Sequence, residues 1–212
     1  MNIGIIGAGM VGGALTKAFA KRGRAVVVAS TDPTSAKTQS LIKEAGDNAC
    51  AASAQDAVDH GEVVILATPW PATEAILASL LRLDGKVLID ATNPIRPDFS
   101  GLEIDKQSGG EKVAGWAPGA RVVKTLNQIG FEMMDAPKLA AGAPVMFVAG
   151  DDAPAKKTVC DLVASLGFDA DDCGGLDMAR HLESLAWIWI NRAMKQGKAR
   201  AFGFVLSDAA EA

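Results

Sequence analysis

The chain has 212 residues, 49% of them hydrophobic and 22% charged, and carries a formal net charge of -4 at pH 7. Its length suits one large α/β domain, or one such domain with a small appendage. The composition is that of a globular protein and excludes a disordered or fibrous class. The acidic balance gives no basic footprint for nucleic acid, and no apolar run approaches the roughly 20 residues that span a bilayer.

The three cysteines, Cys50, Cys160 and Cys173, are odd in number and far apart in the sequence. They form no C-x-x-C pair and no Cys/His ligand spacing, so the sequence predicts neither a disulfide framework nor a metal site. The chain enters its first strand within two residues, which leaves no space for a secretory leader. We therefore expect a cytoplasmic protein that binds neither a membrane nor nucleic acid.

Residues 2–15 read NIGIIGAGMVGGAL, in which a short apolar strand runs into three glycines and then into a helix predicted over 10–22. A G-x-G-x-x-G in this context is typical of a dinucleotide-binding turn. We expect Gly7 to permit the tight turn, Gly9 to leave space for a pyrophosphate, and Gly12 to let helix and strand pack closely. The helix N-terminus adds unpaired N–H groups and a positive dipole end. The predicted pyrophosphate contacts are Gly7, Ala8, Gly9, Met10, Val11 and Gly12.

The second strand, predicted over 25–30, ends at the position that distinguishes NAD from NADP enzymes. NAD enzymes place a carboxylate there, which holds the ribose 2′-hydroxyl. This chain has Ser30 and Thr31, with Lys37 downstream, and two hydroxyls with a cation favour the 2′-phosphate of NADP. Asp32 is the nearby carboxylate that favours NAD instead. The alternative role of these residues is to begin and cap the next turn.

The rest of the chain alternates apolar strands with helical segments, which predicts an α/β fold with a Rossmann-type, doubly wound parallel sheet. Residues 93–110 are rich in Pro, Gly, Ser and Asp and are expected to form a long irregular loop. We expect a dinucleotide-binding domain over 1–150 and a small C-terminal substrate or dimerisation part over 151–212. Apolar residues lie nearly all round the last helix, so it should be buried on more than one side. Further strands are predicted at 49–52, 62–68, 86–92, 121–126 and 145–150, and further helices at 35–45, 54–59, 71–81, 153–166 and 177–195.

Polar loops follow three of the predicted strands. In open α/β sheets, ligands bind beyond the carboxyl ends of the strands, so these loops are expected to form a nicotinamide pocket and a place for a second ligand. For each loop taken alone, ordinary turn chemistry is an equal alternative. Lys124 either contacts a ligand or is simply a cation at a strand end. The loops contain Ala67, Thr68, Pro69 and Trp70, then Asn93 and Pro94, then Lys124, Asn127 and Gln128.

Several motifs together resemble one family. GIIGAGMVGGAL, ATPW, DATNPI, VVKTLNQIG, AGDD and LDMARHLESLA occur in this order over nearly the whole chain. They are similar to the NADPH-dependent coenzyme F420 (8-hydroxy-5-deazaflavin) reductases, a family that includes the reductase domains of the STEAP metalloreductases. The resemblance implies a homodimer that exchanges hydride directly between NADP(H) and a deazaflavin or flavin. Members commonly have an arginine after the position of Ser30, where this chain has Thr31.

The resemblance also implies roles for residues by position. Residues 7–12 would hold the pyrophosphate, and Ser30 and Thr31 would meet the 2′-phosphate. Residues 68–70, together with Asn93, would border the nicotinamide ribose. The residues implied along the second ring are Pro94, Asn127, Gln128 and Leu176.

Hydride transfer between two rings depends on their alignment at about 3 to 3.5 Å and needs little from side chains. The sequence agrees, because it offers no catalytic constellation, and the absence of tyrosine excludes a Tyr-x-x-x-Lys proton donor. Arg96, Lys106 and Arg121 either meet an anionic cofactor tail or are solvated loop cations. Two other functions remain: a non-catalytic NADP(H)-binding sensor or partner protein, and a methyltransferase, against which Ser30 argues.

Overall fold

The computed structural model describes residues 1–207 and 209. Within them, eight strands form one sheet in the order β3-β2-β1-β4-β5-β6-β7-β8. The strands β1 to β6 are parallel, β7 is antiparallel to β6, and β8 is parallel to β7. The predicted α/β, doubly wound sheet is confirmed. The strands are β1 Ile3–Ile6, β2 Val26–Ala29, β3 Ala49–Ala52, β4 Val63–Leu66, β5 Val87–Asp90, β6 Arg121–Lys124, β7 Val145–Gly150 and β8 Asp169–Asp172.

Helices connect the strands and cover both faces of the sheet. Short 3-10 turns occur at Phe131–Met133 and Leu176–Met178, and a π-helical turn at Asn191–Lys195 follows the last helix. No helix within the described part of the chain has the length and apolar character needed to cross a bilayer. The helices are α1 Met10–Lys21, α2 Ala36–Ala45, α3 Ala54–His60, α4 Trp70–Ala78, α5 Gly109–Trp116, α6 Ala153–Leu166 and α7 Ala179–Ile190.

The strands alternate their side chains between two hydrophobic clusters, one on each face of the sheet. Ile3 and Ile5 lie in the cluster that α1, α2 and α6 cover. Ile6 lies in the opposite cluster, to which α3, α4, α5 and α7 contribute. Because both faces are covered, strands such as β4 and β5 are fully buried, which explains their continuous apolar sequences.

The chain order of the sheet reverses between β1 and β4, the pair of neighbours between which α/β sheets open a crevice. The glycine turn follows β1, and residues 67–69 follow β4 at the same edge. The loops after β5 and β6 leave that edge farther along. This topology places the predicted binding segments along one side of the sheet.

The elements differ from those expected in three places. The stretch after Asn93 is not irregular to its end, because the helix α5 begins at Gly109. The strand β8 was not predicted at all. The segment predicted as one helix over 177–195 is divided between the 3-10 turn Leu176–Met178, the helix α7 and the π-helical turn Asn191–Lys195, and Ile188 on α7 is 58% exposed. The proposed division of the chain at residue 150 stays a prediction.

Candidate functional site

The glycine turn has the geometry that its three glycines predict. Gly7 has a φ of +114°, in the region that favours glycine, and an added Cβ there would lie 2.5 Å from the Ala67 carbonyl oxygen. An added Cβ at Gly12 would overlap the carbonyl oxygen of Gly7. Gly9 has open space where its side chain would be. The turn therefore brings α1 against β1 and leaves a gap above Gly9.

A cavity of about 530 Å³ opens beside this turn. It joins three segments that lie far apart in sequence: the glycine turn, the end of β2 with the start of α2, and the end of β4. Its volume lies within the range that small-molecule and cofactor sites occupy. Most of the predicted cofactor-binding residues line this cavity: Gly7, Ala8, Gly9, Ser30, Thr31, Lys37, Ala67, Thr68 and Pro69.

The first turn of α1 supplies the other predicted pyrophosphate contacts. Gly9 is the N-cap and provides no capping side chain, and no acidic residue lies in the first turn. The N–H groups at a helix start lack intrahelical partners and favour an anion. Met10 is 67% exposed and borders a second cavity of about 400 Å³, which Lys37 also lines. Val11 is half-buried and Gly12 is buried.

At the end of β2, a network of hydroxyl groups forms the wall of the larger cavity. The hydroxyls of Ser30 and Thr38 lie 2.9 Å apart, and Ser35 caps α2 by accepting from the Thr38 N–H. Asp32 points into its own turn, where its Oδ1 accepts from the N–H and the hydroxyl of Thr34 at 2.9 and 2.8 Å. The hydrogen bond from the Thr34 side chain lowers the pKa of Asp32. Ser30, Ser35 and Thr38 border the cavity, whereas Asp32 and Thr34 close the turn beside it. Capping this turn is therefore compatible with lining a binding site.

The loop after β4 is held by hydrogen bonds of its own. The hydroxyls of Thr68 and Thr73 lie 2.9 Å apart in a buried position. Trp70 begins α4, and its indole N–H donates to Glu103 at 3.2 Å while its ring lies 5.3 Å from that of Trp116. Trp70 is only 9% exposed and does not line the larger cavity, whereas Thr68 and Pro69 do.

The loops after β5 and β6 are tied to each other. The Asn93 side chain donates to the Asn127 carbonyl at 2.9 Å and accepts from the Asn127 side chain at 3.0 Å. The amide of Gln128 both donates to and accepts from the main chain of Phe147 in β7. Leu126, between these elements, has a φ of +59°, a strained conformation for a buried leucine. All five predicted substrate contacts are buried, and none lines the larger cavity: Pro94, Lys124, Asn127, Gln128 and Leu176.

Lys124 requires a correction. Its side chain has no exposed surface, and its ammonium lies 2.8 Å from Asp90, 2.7 Å from the Thr92 carbonyl and 3.1 Å from Glu183. These partners take up all three of its donor hydrogens, so none is left for a ligand. Burial alone would lower the pKa of Lys124, but the charges of Asp90 and Glu183 outweigh burial and raise it. Lys124 is therefore the strand-end cation, the other role that its position allowed.

Comparisons with known proteins decide the family. The profile described as "NADP oxidoreductase coenzyme F420-dependent" matches residues 2–94. An F420-dependent NADP reductase of Methanothermobacter thermautotrophicus is 32% identical over 209 residues, which cover 90% of this chain and 88% of the relative. The chain belongs to the F420-dependent NADP reductase family. The resemblance drawn from the motifs is confirmed.

Two further matches describe the extent of the likeness. A crystal structure from Arthrobacter sp. FB24, provisionally named an F420-dependent NADP-reductase, is 31% identical with a TM-score of 0.86, and the match covers 98% of this chain and 100% of that one. The rat metalloreductase STEAP3 is 29% identical over 184 residues, which are 87% of this chain. The chain spans only 36% of the length of that metalloreductase.

In this family member, one proposed cation patch does not exist. Arg121 begins β6, and its guanidinium donates to the Gly85 carbonyl. It therefore lies at the amino edge of the sheet, opposite the glycine turn, because β6 runs parallel to β1. Arg96 and Lys106 lie in the loop between β5 and α5, so the three cations do not converge on one cofactor tail.

Two buried acids at the site were missed from the sequence. Asp90 and Glu183 are each 0% exposed and both pair with Lys124. Asp90 ends an apolar strand and Glu183 stands in an ordinary helical pattern. The local sequence around each acid is the same as that around an acid exposed to solvent. Only the fold shows that both acids are buried beside Lys124.

Proposed function

We propose that this protein is an NADP(H)-dependent oxidoreductase that transfers a hydride between NADPH and a deazaflavin such as coenzyme F420, or a flavin. The observation that carries the proposal is the larger cavity, which joins the glycine turn to the hydroxyls at the end of β2 and to the loop after β4. A dinucleotide laid across these segments has its pyrophosphate at α1 and one ribose at Ser30. Family membership supports the same activity.

NADP is the preferred dinucleotide in this proposal. Ser30, Thr31 and Lys37 line the cavity and supply hydroxyl and cationic donors for a 2′-phosphate. Asp32 is engaged by Thr34 in its own turn and is not among the cavity-lining residues. A carboxylate directed at the ribose would repel that phosphate. Because the Asp32 carboxylate is bound by Thr34, it is directed away from the cavity.

In such a reaction, the residues bind and align the two rings rather than exchange protons. The nicotinamide supplies the hydride, which passes directly to a ring carbon of the acceptor. Thr68 and Asn93 are proposed to border the nicotinamide ribose, with Trp70 holding the start of α4 behind them. The acceptor is proposed to lie along Pro94, Asn127, Gln128 and Leu176, which requires a rearrangement of this buried edge on binding.

The test is turnover with purified protein. NADPH or NADH is mixed separately with F420, FMN and FAD, and consumption of the reduced nicotinamide is followed by absorbance. We expect turnover with NADPH and at least one of the three acceptors, at lower KM than with NADH. Tight NADPH binding without turnover on the whole panel would contradict the proposal and favour a non-catalytic NADP(H)-binding sensor.

A homodimer and a cytoplasmic location are part of the same proposal. Ile188 and Met194, near the end of the chain, are 58% and 51% exposed and offer an apolar surface to a second copy. Light scattering after size-exclusion chromatography should give twice the mass of the chain. The Ile188→Glu variant should give the mass of a single chain. All three cysteines are free, as a reducing compartment would keep them.

A further inference from the structure

The most unusual feature outside the cavity is a cluster of three buried charges, which we call the ion cluster: Asp90, Lys124 and Glu183. Their side chains are all 0% exposed. Removing three charges from water is costly, and a well-packed apolar substitute is often at least as stable. The cluster therefore requires a reason other than stability.

Two members of the ion cluster fix the main chain of one residue, Thr92. Asp90 Oδ1 accepts from the Thr92 N–H at 2.9 Å and from its hydroxyl at 2.7 Å. Lys124 donates to the Thr92 carbonyl at 2.7 Å. Both main-chain polar groups of Thr92 are thus bound by buried charges, and such charge-assisted hydrogen bonds are the strong ones. The peptide that enters Asn93 is held in a single orientation.

The effect reaches the loop after β6 as well. Asn93 follows Thr92 directly and pairs with Asn127 through two hydrogen bonds. Asn127 is three positions after Lys124, past the strained Leu126. Lys124 is thus connected to both loops. It binds the loop after β5 through the Thr92 carbonyl, and it ends the strand that leads into the loop after β6.

Glu183 connects this arrangement to the helices. Its two carboxylate oxygens accept from the N–H groups of Gly109 and Gly110 at 3.0 and 2.9 Å, at the start of α5. An added Cβ at Gly109 would lie 2.8 Å from Glu183 and 3.1 Å from Pro94. Pro94 therefore packs closely against the helix end that Glu183 binds.

We propose that Asp90, Lys124 and Glu183 are positioning residues for hydride transfer. They touch neither ring, and they act by holding Asn93, Pro94 and Asn127 where the acceptor must be aligned with the nicotinamide. This proposal rests on the proposed function above. A misplacement of about 1 Å in such a site costs on the order of 100-fold in rate, so a small movement of these loops is sufficient.

The first test replaces the cation with an apolar side chain of similar length, Lys124→Met. Single-turnover hydride transfer from NADPH is measured by stopped flow, with and without deuterium at C4 of the nicotinamide, and NADPH affinity by fluorescence titration. We expect hydride transfer to slow by about 10- to 100-fold, with a full isotope effect, and NADPH affinity to change less than about threefold. The control is Val163→Ala in α6, which packs on the face of the sheet opposite to α5 and α7. It lowers the melting temperature by creating a cavity and should leave the hydride rate unchanged.

A double variant separates positioning from folding. Lys124→Met leaves Asp90 and Glu183 without a cation, and Lys124→Met/Asp90→Asn removes one of these two buried charges. Glu183 keeps its bonds from the N–H groups of Gly109 and Gly110, and the bond from the Lys124 ammonium to the Thr92 carbonyl is still lost. We expect its melting temperature to rise above that of Lys124→Met, because one buried unpaired charge has been removed, while hydride transfer stays slow. If the rate recovers together with the melting temperature, the cluster is merely structural and the proposal is overturned.

A milder variant covers the case in which the cation is needed for folding. Thr92→Val removes one hydroxyl bond to Asp90 and keeps the Thr92 N–H. It should fold, slow hydride transfer by about 3- to 10-fold, and speed hydrogen exchange of the amides in 92–95 and 125–128. Unchanged exchange in both loops would overturn the proposal. Because exchange needs no acceptor, this result is independent of whether the wild type turns over, and absent turnover with accelerated exchange would refute the proposed function alone.

Discussion

Gly9→Val tests directly whether the glycine turn holds the dinucleotide. Gly9 has φ -74° and ψ -163°, an extended conformation that valine adopts readily, and an added Cβ meets no atom within 4 Å. The fold should therefore remain. Valine is a poorer N-cap than glycine, which should lower the free energy of unfolding of the free protein by on the order of 1 kcal/mol. The two γ-methyl groups, however, enter the space above the turn, where the pyrophosphate would approach the backbone.

We expect the affinity for NADPH, measured by titration calorimetry, to fall by more than tenfold, which corresponds to at least about 1.4 kcal/mol. Gly115→Val is the matched control, since Gly115 also has open space around it but lies in α5, away from the cavity. Gly12→Ala is the opposite case, because its Cβ would overlap the Gly7 carbonyl oxygen and should destabilise the fold itself. A folded Gly9→Val protein with wild-type NADPH affinity would refute the role of the turn.

Three further changes probe the ribose end and the pH response. Lys37→Met should weaken NADPH binding about tenfold and leave NADH unchanged, whereas Lys43→Met on the same helix should alter neither in the same titrations. Thr31→Arg should strengthen NADPH binding relative to NADH; an unchanged ratio of the two dissociation constants would show that the 2′-phosphate is not near this position. The hydrogen bond from Arg22 lowers the pKa of Asp135 below that of a free aspartate, so this carboxylate stabilises the fold above about pH 4 and ceases to do so on acidification. Asp135→Asn should cost at most about 1 kcal/mol at neutral pH and flatten the fall of the melting temperature below pH 4.

The dinucleotide half of the fold could be predicted because its signals are local. The apolar strand, the glycines and the helix follow one another within residues 2–15, and the sheet order places them beside β4. The helix α5 also had a local signal that was overlooked. Ser108 and Glu111 form a capping box at its start, which is a recognisable sequence pattern.

Other features have no local signal. The strand β8 reads DADD, with no apolar alternation, and becomes a strand because it pairs with β7 along its full length. Lys124 and Asp90 are separated by 34 positions, and Glu183 and Gly110 by 73. Ion pairs between single charged residues at such spacing cannot be predicted from one sequence, since charged residues are most often exposed to solvent.

The two halves of the candidate site are also held in different ways. At the glycine turn, the close approach of Gly12 to Gly7 involves main-chain atoms, so side-chain changes elsewhere have little means of altering it. The loops at Asn93 and Asn127 depend instead on side chains from β5, β6 and α7. A substitution in α7, which contributes no residue to the lining of the larger cavity, would therefore reach the loops at Asn93 and Asn127 through Glu183. If the acceptor binds at these loops as proposed above, its choice can change through α7 while the dinucleotide turn stays as it is.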